Sequence, residues 1–497
     1  MSHFHVLQFF CVKLMLTLND RSFKTDFYQR KRKINRCEFP IHNQNLYLYP
    51  FHYKIQLTHI MNSDRRKFIK NSALATAAIS TFPTIMNACA SPGEKVGVGL
   101  VGCRSMGFSN LKSFLRKENN VDCVALCDVD SNILESRAAE VEKMTEKKPV
   151  LYSDFREMLD SPEVDAVIIG TPDHWHAYIM MAALEAGKHV YVEKPMGHSI
   201  EECYAMVKAA SKYPNQVVQV GMWQRSSKHW FEASEIVKSG QLGNVHLVKA
   251  WIYKGYDKPY PAMPDGEAPA YVDYDMWLGP APERPFNPNR FHYNHRWWWD
   301  YAGGAMTDWG VHLLDFAMFA MDAGMPEKIS PGGGIYYHEE GAIETPDIQQ
   351  ALYSYPTHAM VWECGLNPGI GPYGKGHGVA FVGEKGTMVL DRGGWEIMPD
   401  RSDAKKGPFF EGKKQENYGD GLDQHVENFL ECIRKGGTPN ASVEIGAKTA
   451  IVSEMGNIAY RTGQIINWDD KDKRFKEEAA DKLTRLTYRE QWKLPIM

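Results

Sequence analysis

From residue 95 onward, short apolar runs alternate with stretches of helical length, and this alternation leaves few folds open to the chain. The runs at 96–101, 121–127, 164–170, 189–192 and 217–220 read as buried strands. Helices are expected between them over 109–117, 132–146 and 175–186, the last closed by Gly187. Ser199-Ile200-Glu201-Glu202 forms a capping box that opens a further helix running to Lys212. Strands alternating with helices at this spacing predict an α/β fold with a doubly wound parallel sheet.

The loop after the first run, Gly102-Cys103-Arg104-Ser105-Met106-Gly107, has a physical task in such a sheet. A tight turn and close backbone approach to a pyrophosphate need residues without Cβ, and the following helix N-terminus attracts phosphates. Gly102 takes the first glycine place of that fingerprint and Gly107 the third, with Arg104 in the second and Met106 in the same turn. An acid, Asp128, follows Gly107 by about 20 residues, which strengthens the pattern. Asp128 is placed to bind adenosine ribose hydroxyls, favouring NAD; a plain strand-end turn aspartate is the alternative. Arg104 reads either as a cover over the pyrophosphate or as a reach to a 2′-phosphate, so NADP stays open.

Glu193-Lys194-Pro195 follows the fourth apolar run. With 170–176 (GTPDHWH), Gln219-Val220-Gly221 and 303–312 (GGAMTDWGVH), this triplet resembles the Gfo/Idh/MocA family of NAD(P)-dependent oxidoreductases, named in part for glucose–fructose oxidoreductase and inositol dehydrogenase. The resemblance covers roughly 94–465. It implies a Rossmann half, 94–220, followed by an α/β half, 221–497. The second half is expected to carry a large, mostly antiparallel open sheet and to support a homo-oligomer. Runs at 245–256, 349–355, 359–365, 378–382 and 387–391 read as its strands, and 228–239, 421–434 and 442–461 as helices.

Hydride transfer from an alcohol needs a base for the hydroxyl proton while nicotinamide takes the hydride. The resemblance implies that Lys194 lies beside substrate and nicotinamide, that Glu193 contacts the nicotinamide ribose, and that Asp308 and His312 surround the substrate. Spacing alone puts Asp308 and His312 on one helix face. His312 is the leading general base, because imidazole titrates near neutral pH. Asp308 is expected to bind substrate hydroxyls or to orient the site. A purely structural Asp–His pair is the competing reading, and no metal is expected. Thr171 and Pro172, at a strand's carboxyl end, are expected to touch the dinucleotide. His174 and His176 read as loop or packing residues. The aromatic stretch 291–301 (FHYNHRWWWDY) reads as core packing or as the wall of a sugar cleft, its position before Gly303 favouring the wall.

Residues 61–90 carry Arg65, Arg66, Lys67 and Lys70 ahead of a short apolar segment, 72–85, that is too short to span a membrane. Asp64 to Lys70 resembles the bacterial twin-arginine export signal. Met-Asn-Ala-Cys, ending at Cys89, loosely resembles a lipoprotein cleavage box, with Asn87 departing from it; cleavage near Ala90 is the alternative. Residues 1–60 precede a signal that belongs at an N-terminus, so Met61 is the expected start, and 1–60 are expected to be a start-site artefact or disordered. A periplasmic or lipid-anchored product follows.

An apolar fraction of 43% and a charged fraction of 24% suit a soluble globular protein. The formal net charge of −4 lacks the basic footprint of a nucleic-acid binder. Nine cysteines show neither zinc-like spacing nor a disulfide framework; Cys103, Cys123 and Cys127 read as small buried hydrophobes. The expected function is hydride transfer between a sugar, glycoside or cyclitol hydroxyl and a nicotinamide cofactor. The rivals are an NAD-dependent glycosidase working by transient oxidation and elimination, and a non-catalytic sugar or dinucleotide sensor. Retention of Lys194, Asp308 and His312 together argues against the sensor.

Overall fold

The computed structural model describes residues 95–255, 259–403, 405–419 and 421–494. The expected export signal at 61–90, Cys89 and residues 1–60 lie outside the described residues. Six strands form the first sheet: β1 (Val96–Val101), β2 (Val121–Cys127), β3 (Val150–Tyr152), β4 (Ala166–Ile169), β5 (His189–Val192) and β6 (Val218–Val220). Their order is β3-β2-β1-β4-β5-β6, and every pair is parallel. Every residue of β1 and β4 is buried, as a sheet covered on both faces requires. The connecting helices are α1 (Ser105–Phe114), α2 (Ser131–Thr145), α3 (Phe155–Leu159), α4 (His176–Glu185) and α5 (Ile200–Lys212). The capping box forms as expected: Ser199 Oγ accepts the Glu202 N–H, and the Glu202 carboxylate accepts the Ser199 N–H. Sequence reading missed β3, a three-residue edge strand with no fully buried residue.

The chain then passes through α6 (Lys228–Lys238) into a ten-stranded sheet. Its members are β7 (Val245–Tyr253), β8 (Lys328–Gly334), β9 (Ile348–Ser354), β10 (Ala359–Gly365), β11 (His377–Gly383), β12 (Gly386–Asp391) and β13 (Gly394–Pro399). A two-stranded ribbon, β14 (Arg401–Asp403) with β15 (Gly407–Pro408), interrupts the series before β16 (Lys413–Glu416), β17 (Ile466–Asp469) and β18 (Arg474–Phe475). The order is β16-β13-β12-β11-β7-β10-β9-β8-β17-β18, antiparallel except for the β7–β10 pair. Burial alternates along β9, so one side of each strand packs and the other is solvated. The remaining helices are α7 (Tyr274–Leu278), α8 (Val311–Met321), α9 (Gly421–Lys435), α10 (Val443–Thr462) and α11 (Glu478–Lys482). Helices α6, α8 and α10 pack against the large sheet.

Helix α9 returns to the first sheet. Val426, Phe429, Leu430 and Ile433 join a core built from Val96, Val98, Leu100, Phe108, Phe114 and Tyr191. Phe114 meets Tyr191 and Phe429 edge-on, at 5.6 and 5.9 Å between ring centroids. The core of the parallel sheet is therefore finished by a segment from late in the chain. All six cysteines among the described residues are buried and unpaired.

Candidate active site

A cavity of about 730 Å³ opens at the carboxyl ends of the parallel strands. Gly102 follows β1, Asp128 follows β2, Thr171 and Pro172 follow β4, Glu193 and Lys194 follow β5, and all of them line it. The glycine turn fits a pyrophosphate. Gly102 has φ +84°, and a Cβ there would stand 2.6 Å from the Gly170 carbonyl carbon. A Cβ on Gly107 would stand 2.2 Å from the Gly102 oxygen. Arg104 takes the middle glycine's place without strain, at φ −92°. Helix α1 begins there with no side-chain cap and no acid in its first turn, so its N–H groups are left for an anion. Arg104, Ser105 and Met106 line the cavity at this end.

Asp128 Oδ2 accepts the Cys103 N–H at 2.7 Å and Oδ1 accepts the Asp130 N–H at 3.0 Å. The side chain thus braces the glycine turn while facing the cavity. Burial pushes its carboxyl above the usual range, against the pull of those two amides. Glu193 accepts from Asn110 Nδ2 at 2.8 Å and from the Lys194 N–H at 3.2 Å, tying the end of β5 to α1. His174 bonds the Trp277 carbonyl, and His176 bonds those of Thr171 and Pro195. Burial pulls His174 down to about 3. Both act as packing residues, as expected, although His176 also borders the cavity.

The catalytic candidates converge. Lys194 Nζ donates to Asp308 Oδ1 and to the Asp308 carbonyl, both at 2.8 Å. Arg296 Nε lies 3.6 Å from Asp308 Oδ2. Burial would raise the Asp308 carboxyl, but Lys194 and Arg296 override it and hold the group well below the carboxylate range. His312 lines the same cavity, and its Nδ1 is buried without a partner.

Asp308 and His312 both line the cavity, Asp308 from a π-helical turn, Met306–Gly310, that runs into α8. One expectation needs correction: His312 is not poised near neutrality. Burial, then Lys194 and then Arg392 drive its pKa well below the ordinary value of 6.5, with only Asp308 opposing them. The imidazole stays neutral at neutral pH because it is buried and sits among cations.

The aromatic stretch divides. His292, Tyr293, His295 and Arg296 face the cavity, whereas Trp297, Trp298 and Tyr301 are core. Sequence reading missed Trp223, Trp309 and Arg392, which line the cavity around His312. Arg392 sits in the β12–β13 turn, where a lone arginine beside two glycines carries no signal by itself.

A Rossmann sheet, a glycine turn shaped for pyrophosphate and a lysine–carboxylate–histidine group at its mouth define an NAD-binding oxidoreductase fold. Residues 96–222 match the model of an oxidoreductase family with an NAD-binding Rossmann fold, and 226–338 match its C-terminal alpha/beta domain. Residues 96–222 and 226–338 thus carry the two domains of the Gfo/Idh/MocA oxidoreductase family. A Glycosyl hydrolase family 109 protein from Shewanella baltica is 32% identical over 173 residues, which are 30% of this chain and 38% of the relative. An Alpha-N-acetylgalactosaminidase from Shewanella oneidensis is 31% identical over the same length and shares. These alignments span well under half of either relative. A levoglucosan dehydrogenase solved with NADH and levoglucosan shares the fold at TM-score 0.59 and 18% identity, over 76% of this chain and all of that one.

Proposed function

We propose that the chain transfers hydride between a hydroxyl of a sugar, glycoside or cyclitol and a nicotinamide cofactor, with NAD favoured over NADP. The observation that carries this reading is a bound pair, Lys194–Asp308, and an unpartnered neutral imidazole, His312, in the cavity that the glycine turn opens into. The first turn of α1, Thr171, Pro172 and Asp128 would hold the dinucleotide. When bound, the nicotinamide supplies the hydride acceptor or donor.

Lys194 commits two of its N–H groups to Asp308. A third remains to hold the reacting hydroxyl oxygen and to stabilise negative charge developing there. Asp308 acts by fixing Lys194. His312 takes the hydroxyl proton; as a weakened base it depends on Lys194 to acidify the alcohol. Tyr293, exposed at the cavity wall, offers a ring face to sugar C–H groups.

The names of the Shewanella relatives favour a second reading, glycoside cleavage through transient oxidation and elimination. One screen separates the readings: glycosides and polyols offered to purified protein with NAD. Accumulating reduced nicotinamide supports net oxidation. Release of free sugar without net reduction supports cleavage. Dinucleotide binding with neither outcome would leave a sensor and overturn the proposal.

The Arg65-Arg66 pattern supports export as a folded protein to the periplasm, anchored by lipid if Cys89 is processed, and the family supports a homo-oligomer. Such an enzyme would leave the cytoplasm with its cofactor already bound. Protein purified from periplasm or membrane without added nucleotide should then release stoichiometric NAD(P) on denaturation; an empty protein would contradict this.

A further inference from the structure

Arg392 is a cation that the hydride-transfer reading leaves without a task. It projects from the β12–β13 turn into the cavity wall shared with Lys194, Asp308 and His312. Its guanidinium lies over the rings of Trp223 and Trp309, 4.8 and 4.5 Å from their centroids. Cation–π contacts of this kind hold the guanidinium without using its N–H groups as hydrogen-bond donors to a protein acceptor. Those groups find no hydrogen bond among the described residues, and Nε is buried without a partner. No carboxylate there comes within the 4.0 Å ion-pair distance of Arg392.

The neighbouring acid is already committed. Asp391 takes Lys375 at 2.6 Å and the Gly393 N–H at 2.8 Å. Asp308 serves Lys194 and Arg296. Lys254 adds another positive charge, 5.6 Å from the Trp309 ring. His377, whose ring is 5.1 Å from that of Trp309, is pulled down to about 4 by burial and then by Arg392, so it contributes no charge at neutral pH. The substrate end of the cavity therefore has a surplus of positive charge and a planar donor held ready in it. Arg392 is half-buried and the Asp308 carboxylate acts on its charge, but its N–H groups still lack the acceptor that an anionic ligand would supply.

We propose that Arg392 binds an oxyanion group of the substrate, so that the site takes acidic sugar derivatives, either uronic acid glycosides or sugar phosphates. This rests on the proposal that the cavity is a sugar site. Arginine matches carboxylate and phosphate equally by its paired N–H geometry, so the two sources are separated by the probe.

Chain loaded with NAD is titrated with methyl glucuronide, methyl galacturonide, the corresponding methyl hexosides and their 6-phosphates, and binding is followed calorimetrically. Initial rates of nicotinamide reduction are measured on the same set. One acidic class should bind about 10- to 100-fold tighter than its neutral partner. Arg392→Gln should erase that preference, and Arg392→Lys should restore only part of it. Equal or tighter binding of the neutral hexosides, no saturable binding of either acid, or a preference that survives Arg392→Gln would overturn the proposal. Acids that bind through Arg392 with neither nicotinamide reduction nor release of free sugar would remove the hydride-transfer reading and leave the anion site. Oxidation of neutral sugars with no acid preference would do the reverse.

Discussion

Lys194 and His312 divide the work of the site through their surroundings. Two bonds to Asp308 fix the lysine, and burial beside cations strips the histidine of its charge. Lys194→Ala should lower turnover by at least about a hundredfold, the scale of a lost group at the reacting centre. Dinucleotide affinity should stay within about tenfold, because Lys194 serves the substrate oxygen; equilibrium binding alongside initial rates checks both. His312→Ala should cripple turnover comparably. In the parent, the acid limb of kcat should fall well below the ordinary imidazole value, so activity stays level through the neutral range. The sign follows from the depressed pKa: the neutral, basic form persists as pH falls until that low value is reached. An acid limb near the ordinary value would take His312 out of the base role. These residues were legible because each sits in a short local motif. Their titration was not, since it depends on Lys194 and Arg392, which arrive from other elements.

At the scale of elements, the glycine turn and the start of α8 matter most. Gly107 is legible as a glycine, but the reason is tertiary: its missing Cβ is the space occupied by the Gly102 oxygen. Gly107→Ala should destabilise the fold by roughly 1–3 kcal/mol as an overpacked contact and should abolish dinucleotide binding, read by thermal melting with and without NAD. Asp128→Ala should weaken NAD binding by about tenfold, near 1.4 kcal/mol, and narrow discrimination against NADP. Affinities for both cofactors that do not move would leave Asp128 as a brace for the turn alone. Most strands and late helices were readable within a few residues. The π-turn at Met306–Gly310 was not, because sequence periodicity assumes a regular helix, and the departure is local.

On the scale of the whole molecule, the sequence order hides two long-range closures. Helix α9 completes the core of the first sheet, and the β12–β13 turn carries Arg392 to the cavity. Neither has a local signal; each follows from a sheet needing cover or a cavity needing a wall. Helix α10 holds a further consequence. Burial pushes Glu454 up to about 8 from 4.5, against the pulls of Arg461 and Asn457. The folded chain keeps a proton there that the unfolded chain releases, so stability falls as pH rises from about 4.5 to about 8. Glu454→Gln should therefore raise the melting temperature near pH 8 and change it little near pH 4.5; equal effects at both would contradict the buried, protonated assignment.

The central claim is that a carbinol hydrogen leaves a sugar as hydride at the Lys194–His312 end of this cavity. A substrate deuterated at the oxidised carbon, quenched during turnover, tests it with mass spectrometry of the recovered cofactor. Label on the nicotinamide ring with the native chain, and none with Lys194→Ala, is the predicted result. Product formed with no deuterium ever on the nicotinamide, the label staying on the sugar or passing only to water, would contradict it.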